Sequence, residues 1–201
     1  MSLKFLDRLR ARLGRYAPLQ LAVVAVLVGI FVGASGMGGT AAGLAWTNTE
    51  KFCTGCHEMK DNVYAEYKGT IHDTNRTGVR ATCPDCHVPH EIGPKLVRKV
   101  HATWELYGAI TGKIDTKEKF EKHRYEMAKR VWVGMKETDS RECRNCHTRE
   151  AMSKELQSAK AQARHAKGLA EHKTCVDCHF GIAHKEPDGP GPQELSVVAT
   201  K

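Results

Sequence analysis

All eight cysteines of this 201-residue chain fall into four Cys-x-x-Cys-His units. They are Cys53/Cys56/His57, Cys83/Cys86/His87, Cys143/Cys146/His147 and Cys175/Cys178/His179. Two thiols at that spacing add across the two vinyl groups of one porphyrin, and the adjacent His reaches under the ring as an iron ligand. The pattern is therefore that of covalent haem c attachment. Zinc ribbons and disulfides also use paired cysteines, but neither requires a His after every pair. Four units imply four haems. Low-spin iron also takes a sixth ligand, and seven His lie outside the motifs: His72, His90, His101, His123, His165, His172 and His184.

The units come in pairs. Cys53 to Cys83 is 30 residues and Cys143 to Cys175 is 32. Each pair has a lone His in its gap, His72 or His165, and a His soon after its closing motif, His90 or His184. This reads as a duplicated dihaem module. It makes His72, His165 and His184 the leading distal ligands, ahead of His90, His101, His123 and His172. The first motif departs from the rest, because Met59 stands two residues after His57. Methionine also ligates haem iron and raises its potential. Residues i and i+2 do not share a helix face, so only one of His57 and Met59 binds from the proximal side.

The elements that position these residues are helical by pattern. Gly93-Pro94 opens a helix to about Ile110, and Asp115 with Glu118 resembles a capping box for a second. On that second helix Phe120, His123, Met127 and Val131 share one face, which turns His123 inward toward a haem iron or a propionate. A third helix covers about 150 to 170. The Pro/Gly-rich tail reads as disordered. Residues 47–201 are poor in large apolar side chains. Such a segment struggles to offset its ordering entropy by aliphatic packing, so porphyrins must fill its core. The expected fold class is an all-α, haem-packed multihaem cytochrome c with one N-terminal transmembrane helix.

No charged residue occurs from Tyr16 to Trp46. That stretch rises about 45 Å if helical, enough to cross a bilayer with its headgroups, although its Gly-rich end could be irregular. It is longer than the hydrophobic region of a cleaved signal peptide. Lys4, Arg8, Arg10, Arg12 and Arg15 precede it, against the single acid Asp7. The bias predicts a cytoplasmic N-terminus and an exported C-terminal domain. Gly29/Gly33 and Gly39/Gly43 form GxxxG spacings that allow close helix packing and a homo-oligomer. The expected organisation is a basic N-terminus (1–17), an anchor (18–46), a first dihaem module (47–91), a helical linker (92–138), a second dihaem module (139–185) and a disordered tail (186–201). The net charge of +8 does not point to nucleic acid. Much of it sits before the anchor, and the propionates of four haems add about eight negative charges.

Taken together, the anchor, Cys53-x-x-Cys-His-x-Met59, Cys83-Pro-Asp-Cys-His-Val-Pro-His90, Asp139-Ser-Arg-Glu-Cys143-Arg-Asn-Cys-His147 and Thr174-Cys-Val-Asp-Cys-His179 with Gly181-Ile-Ala-His184 resemble the NapC/NirT family of tetrahaem quinol dehydrogenases. The linker is most similar to the NapC branch. The resemblance implies a single-pass protein of the bacterial inner membrane with its haem domain in the periplasm. It implies that menaquinol or ubiquinol is oxidised near haem 1. Electrons then pass along the haems to a periplasmic nitrate reductase or its cytochrome subunit. It further implies Met59 as the haem 1 ligand with His57 free, and His87, His147 and His179 as proximal ligands. By the same resemblance the distal ligands cross over: His165 to haem 2, His184 to haem 3 and His72 to haem 4. Lys99 and Glu105 align with the Lys and acidic residue of the quinol site. Quinol oxidation releases protons and needs a base in reach, and His101 shares a helix face with Glu105. Two rival readings are a tethered relay that takes electrons from another cytochrome, and the same chemistry serving a nitrite or trimethylamine-N-oxide reductase.

Overall fold

The computed structural model describes residues 3–197, which form helices and turns without a strand. Residues 1–2 of the expected basic N-terminus and 198–201 of the expected tail lie outside the described residues. So do the side chains of Lys4, Arg10, Arg12, Arg15 and Tyr16. The chain divides into two units, residues 1–47 and 48–201.

The first unit is one helix, α1 (Leu3–Trp46). Its stretch Ala17–Trp46 has 30 residues and a mean hydropathy of 2.3, long and apolar enough to cross a membrane. The helix stays regular through its Gly-rich end, where the Thr40 hydroxyl donates to the Gly36 carbonyl at 2.9 Å. The glycines do not interrupt it. Apolar side chains face outward along it, which suits lipid rather than water.

The second unit begins with α2 (Glu50–Cys53), then a six-residue π-helix (Met59–Tyr64) that runs into α3 (Ala65–Tyr67). There follow α4 (Cys83–His87), α5 (Ile92–Ile110), α6 (Lys117–Glu137), α7 (Arg141–Arg144) and α8 (Ala159–Ala170). Two 3-10 turns, Cys175–Asp177 and Pro192–Glu194, complete it. The α5 helix lies where Gly93-Pro94 predicted, with Pro94 in its first turn, where no intrahelical N–H is lost. The N-cap of α6 is Thr116, whose hydroxyl accepts from Lys119 N at 3.3 Å. Asp115, expected to cap it, instead pairs with Lys119 Nζ at 2.7 Å. The α8 helix starts later than expected, because the Ser158 hydroxyl accepts from Ala161 N and turns fill the residues before it.

The buried stripe of α6 is Phe120, Arg124, Trp132 and Lys136. His123, Met127 and Val131, expected on that face, are only half-buried. The charges are tolerated inside because each is paired. Arg124 grips Glu66 at 2.7 and 2.9 Å and Glu121 at 2.8 Å. Lys136 Nζ stands 2.7 Å from Asp177 Oδ1 and donates to the Pro192 and Leu195 carbonyls at 2.7 Å each. Those two carbonyls lie in the segment expected to be disordered. Part of it is packed: Gly191 and Pro192 are buried, and the Pro192–Glu194 turn contacts α6 and the Cys175–Asp177 turn, while most of the other residues from 186 to 197 are exposed. Buried large apolar side chains are few among the described residues: Tyr67, Val88, Ile114, Phe120, Trp132 and Val176. A core that thin does not by itself offset the ordering of some 150 residues, in line with porphyrins supplying the rest.

Candidate haem-binding sites

Three of the four cysteine motifs, the first, second and fourth, are held by a local cap. The Thr49 hydroxyl accepts from Phe52 N at 3.1 Å and starts α2, which ends on Cys53. In α4 the Asp85 carboxylate accepts from the Thr82 N–H at 2.7 Å and from its hydroxyl at 2.6 Å. The fourth motif repeats this: Asp177 accepts from the Thr174 N–H at 2.8 Å and hydroxyl at 2.9 Å. Both closing motifs read Thr-Cys-x-Asp-Cys-His, so the carboxylate inside the Cys-x-x-Cys loop fixes the turn that presents both thiols. The Thr-x-x-Asp spacing was there to be read and was missed. Burial pushes the Asp177 carboxyl up, but Lys136 and the Thr174 donors outweigh it and hold it below the usual carboxylate range.

The motifs also connect in order. The α4 helix packs against α2 and α7. Before α7, Asp139 and Ser140 both take left-handed backbone, at φ 52° and 51°. The turn buries Ser140 completely, and its hydroxyl accepts from Val176 N of the fourth motif at 3.1 Å. Motifs one to four thus form a continuous series. None of the cysteines is in a disulfide.

Three pairs of imidazoles face one another. Ring centroids of His72 and His147 are 6.2 Å apart, those of His87 and His184 6.1 Å, and those of His165 and His179 6.0 Å. An imidazole nitrogen bonds a transition metal at about 2 Å and sits about 1.1 Å from its ring centre, so two axial imidazoles on one iron stand about 6.2 Å apart. The spacing fits a haem iron between each pair. The outer nitrogens agree. His184 Nδ1 is 3.0 Å from the Val63 carbonyl and His165 Nδ1 is 2.7 Å from Gln157 Oε1. Both partners are acceptors, so Nδ1 carries the proton and Nε2 keeps its lone pair for a metal. His72 Nδ1 is buried without a hydrogen-bond partner. Burial, helped by the nearby His184 and Arg98, pushes His87 down to about 4, and burial likewise lowers His72 and His184. Metal binding requires that neutral form.

The partners differ from those the resemblance implies. His184 faces His87 of the second motif rather than the third, and His72 faces His147 of the third rather than the fourth. His165 faces His179 within its own module rather than the second motif. The physical reason is tertiary. Val63, on the π-helix, draws His184 back to the first module, while Gln157 holds His165 beside its own closing motif.

Among the described residues the first motif has no such ring pair. His57 is exposed, with Nε2 3.3 Å from Glu58 Oε1, and Met59 is half-buried at the start of the π-helix. Of the other His, His90 lies 4.0 Å from Asp85, His123 bonds the Lys119 carbonyl at 2.9 Å, and His101 borders a shallow surface hollow with Glu126 and Arg130. His172 takes left-handed backbone at φ 54° and is exposed.

Lys99 and Glu105 both lie on α5 but about 120° apart around its axis. Burial, opposed by Cys53 but aided by Arg98 and Lys95, holds Lys99 below the usual lysine value. Glu105 is exposed and pairs with Arg98 at 2.8 Å, not with His101. Arg98 also donates to the His87 carbonyl at 3.2 Å, which ties Glu105 to the second motif through one guanidinium.

Several known proteins share this chain's pattern. The denitrification system component NirT of Stutzerimonas stutzeri is 55% identical over 164 residues, 82% of each chain. The cytochrome c-type protein NapC of Escherichia coli (strain K12) is 52% identical over 163 residues, 81% of this chain and 82% of its own. The NapC of Paracoccus pantotrophus is 52% identical over 166 residues, 82% of this chain and 70% of its own. No solved structure matches. Residues 17–189 match the family described as NapC/NirT cytochrome c family, N-terminal region. With four haem-attachment motifs, three facing imidazole pairs and one apolar helix, the chain belongs to the NapC/NirT family of membrane-anchored multihaem cytochromes c, which carry electrons to periplasmic reductases.

Proposed function

We propose that this protein is a tetrahaem quinol dehydrogenase of the bacterial inner membrane that delivers electrons to a periplasmic reductase, nitrate reductase or its cytochrome subunit first. The observation that carries it is the ordered series of four attachment motifs, three with an imidazole pair 6.0–6.2 Å apart and the first without one. Three haems with two strong axial ligands suit relay. One without a second His suits the place where a substrate arrives. The similarity to NapC and NirT supports the periplasmic partner.

When bound, the haems supply one-electron carriers that accept the two electrons of a quinol in turn. The residues of this chain do the rest. Cys53 and Cys56, Cys83 and Cys86, Cys143 and Cys146, and Cys175 and Cys178 hold the four porphyrins by thioether bonds. His87 with His184, His147 with His72, and His179 with His165 would supply the ligands for three of the irons. Met59, rather than His57, would be the protein ligand of the first iron. Lys99 orients the quinol by hydrogen bonding near the first motif. The Glu105 carboxylate, positioned by Arg98, would accept one proton of the quinol, menaquinol or ubiquinol, and the second would leave to solvent, as two electrons are lost to the haems one at a time. The α1 helix spans the membrane once with its basic end in the cytoplasm, which leaves residues 47–185 in the periplasm, and its GxxxG spacings allow a homo-oligomer.

The test is anaerobic mixing of the haem-loaded, detergent-solubilised protein with a menaquinol and a ubiquinol analogue, following haem absorbance. Rapid reduction that a quinol-site inhibitor blocks is the expected result. Reduction only by a soluble cytochrome would overturn the reading and leave a tethered relay.

A further inference from the structure

The α5 helix is inverted relative to an ordinary surface helix. Its less exposed side carries Lys95, Arg98 and Lys99, and Arg98 bonds the His87 carbonyl of the second haem motif. Its outward side carries Ile92, Leu96, Val100, Trp104, Tyr107 and Ile110, at steps of four and three that form one face. These are 44–77% exposed. With Val97 and Leu106, this 19-residue helix holds eight of the fifteen exposed large apolar side chains of residues 48–197, the other seven being scattered. The patch is on the order of 900 Å², well above what a soluble monomer leaves in water. The contact of α5 with the second haem motif, Arg98 to the His87 carbonyl, is on its charged side.

We propose that the outward face of α5 lies in the headgroup–acyl boundary of the membrane, as a second, in-plane attachment. Three features select lipid over a protein partner. Trp104 and Tyr107 stack edge to face at 6.1 Å, and such rings prefer the interface, with apolar body in and polar tip out. The helix has three basic residues against the single acid Glu105, which suits anionic headgroups reached by long stems. Only Thr47, Asn48 and Thr49 separate α1 from α2, so the unit is tethered at the bilayer surface and the association is effectively intramolecular. The proposal rests on α1 being the membrane anchor.

The test is lipid photocrosslinking of the full, haem-loaded chain in nanodiscs of phosphatidylethanolamine and phosphatidylglycerol. Val100→p-benzoylphenylalanine and Trp104→p-benzoylphenylalanine probe α5. The same group at Phe31 probes the anchor, and at Leu156, which is 86% exposed, it probes an apolar site away from α5. Haem absorbance checks that each variant folds. Positions 100 and 104 are expected to gain one phospholipid mass about as often as position 31 and about tenfold more often than position 156. Adducts at 31 but not at 100 or 104 overturn the proposal. Crosslinked dimers from 100 and 104 overturn it in favour of a second copy of the chain. Loss of adducts at 31 as well would remove the anchor reading on which it rests.

Discussion

Replacing Lys136 with Met removes an ammonium whose side chain is 6% exposed and which serves three acceptors, Asp177 Oδ1, Pro192 O and Leu195 O. The ammonium ion-pairs with the first and donates hydrogen bonds to the two carbonyls. Losing one member of a buried ion pair costs about 3–5 kcal/mol, because the other charge stays buried without compensation. Thr174 still holds the other Asp177 oxygen at 2.8 and 2.9 Å, which puts the expected cost near the lower end, about 3 kcal/mol. That corresponds to about a hundredfold more frequent local opening. Global unfolding is the wrong readout, since bound cofactors break two-state behaviour. Hydrogen exchange of the haem-loaded protein over residues 174–180 is the right one. There the Thr174 and Val176 amides are bonded to the Asp177 and Ser140 side chains. The single substitution should speed exchange about a hundredfold, and adding Asp177→Asn should recover most of it by removing the buried charge. Unchanged exchange in Lys136→Met, or a further loss on adding Asp177→Asn, would refute the reasoning.

Two substitutions probe the chemistry. Gln157→Leu removes the acceptor from His165 Nδ1, weakens that imidazole as a donor, and should raise one haem potential by on the order of tens of millivolts in a redox titration. A shift in any haem other than that of the fourth motif would break the pairing of His165 with His179. Glu105→Gln should slow quinol-driven reduction while haem content stays the same, and an unaltered rate would remove Glu105 from proton transfer.

What could be read ahead of the structure was local. The cysteine motifs and the span are set by spacing and composition over short stretches, and α5 by its opening Gly93-Pro94. Where a nearby competitor existed, the reading slipped by a residue or more. Thr116 took the cap from Asp115, and Ser158 set the start of α8. The stripe of α6 was misread because Arg124 and Lys136 look solvated until Glu66 and Asp177 arrive from distant segments. The same holds for the imidazoles. Their recurrence marked His72, His165 and His184, but which ring each one faces depends on acceptors such as Val63 and Gln157. The tail's prolines and glycines suggest no packing, and the Lys136 ammonium, from a distant helix, holds its Pro192 and Leu195 carbonyls.

The bond from His184 to Val63 closes a loop of 121 residues, and Arg124 reaches Glu66 across 58. This bears on how the protein is made. A chain emerging from its N-terminus exposes Cys83, Cys86 and His87 long before His184 exists outside the membrane. Under the proposed topology and pairing, a porphyrin captured at the second motif before that point would have no protein ligand on one side of its iron. A cofactor held only by axial coordination could be lost during that interval. Thioether bonds remove the risk, since the ring stays in place until its far ligand arrives. The two modules look separable in the sequence, yet neither reaches its final form alone, and a nascent chain stopped short of residue 184 would carry haem in an unfinished site.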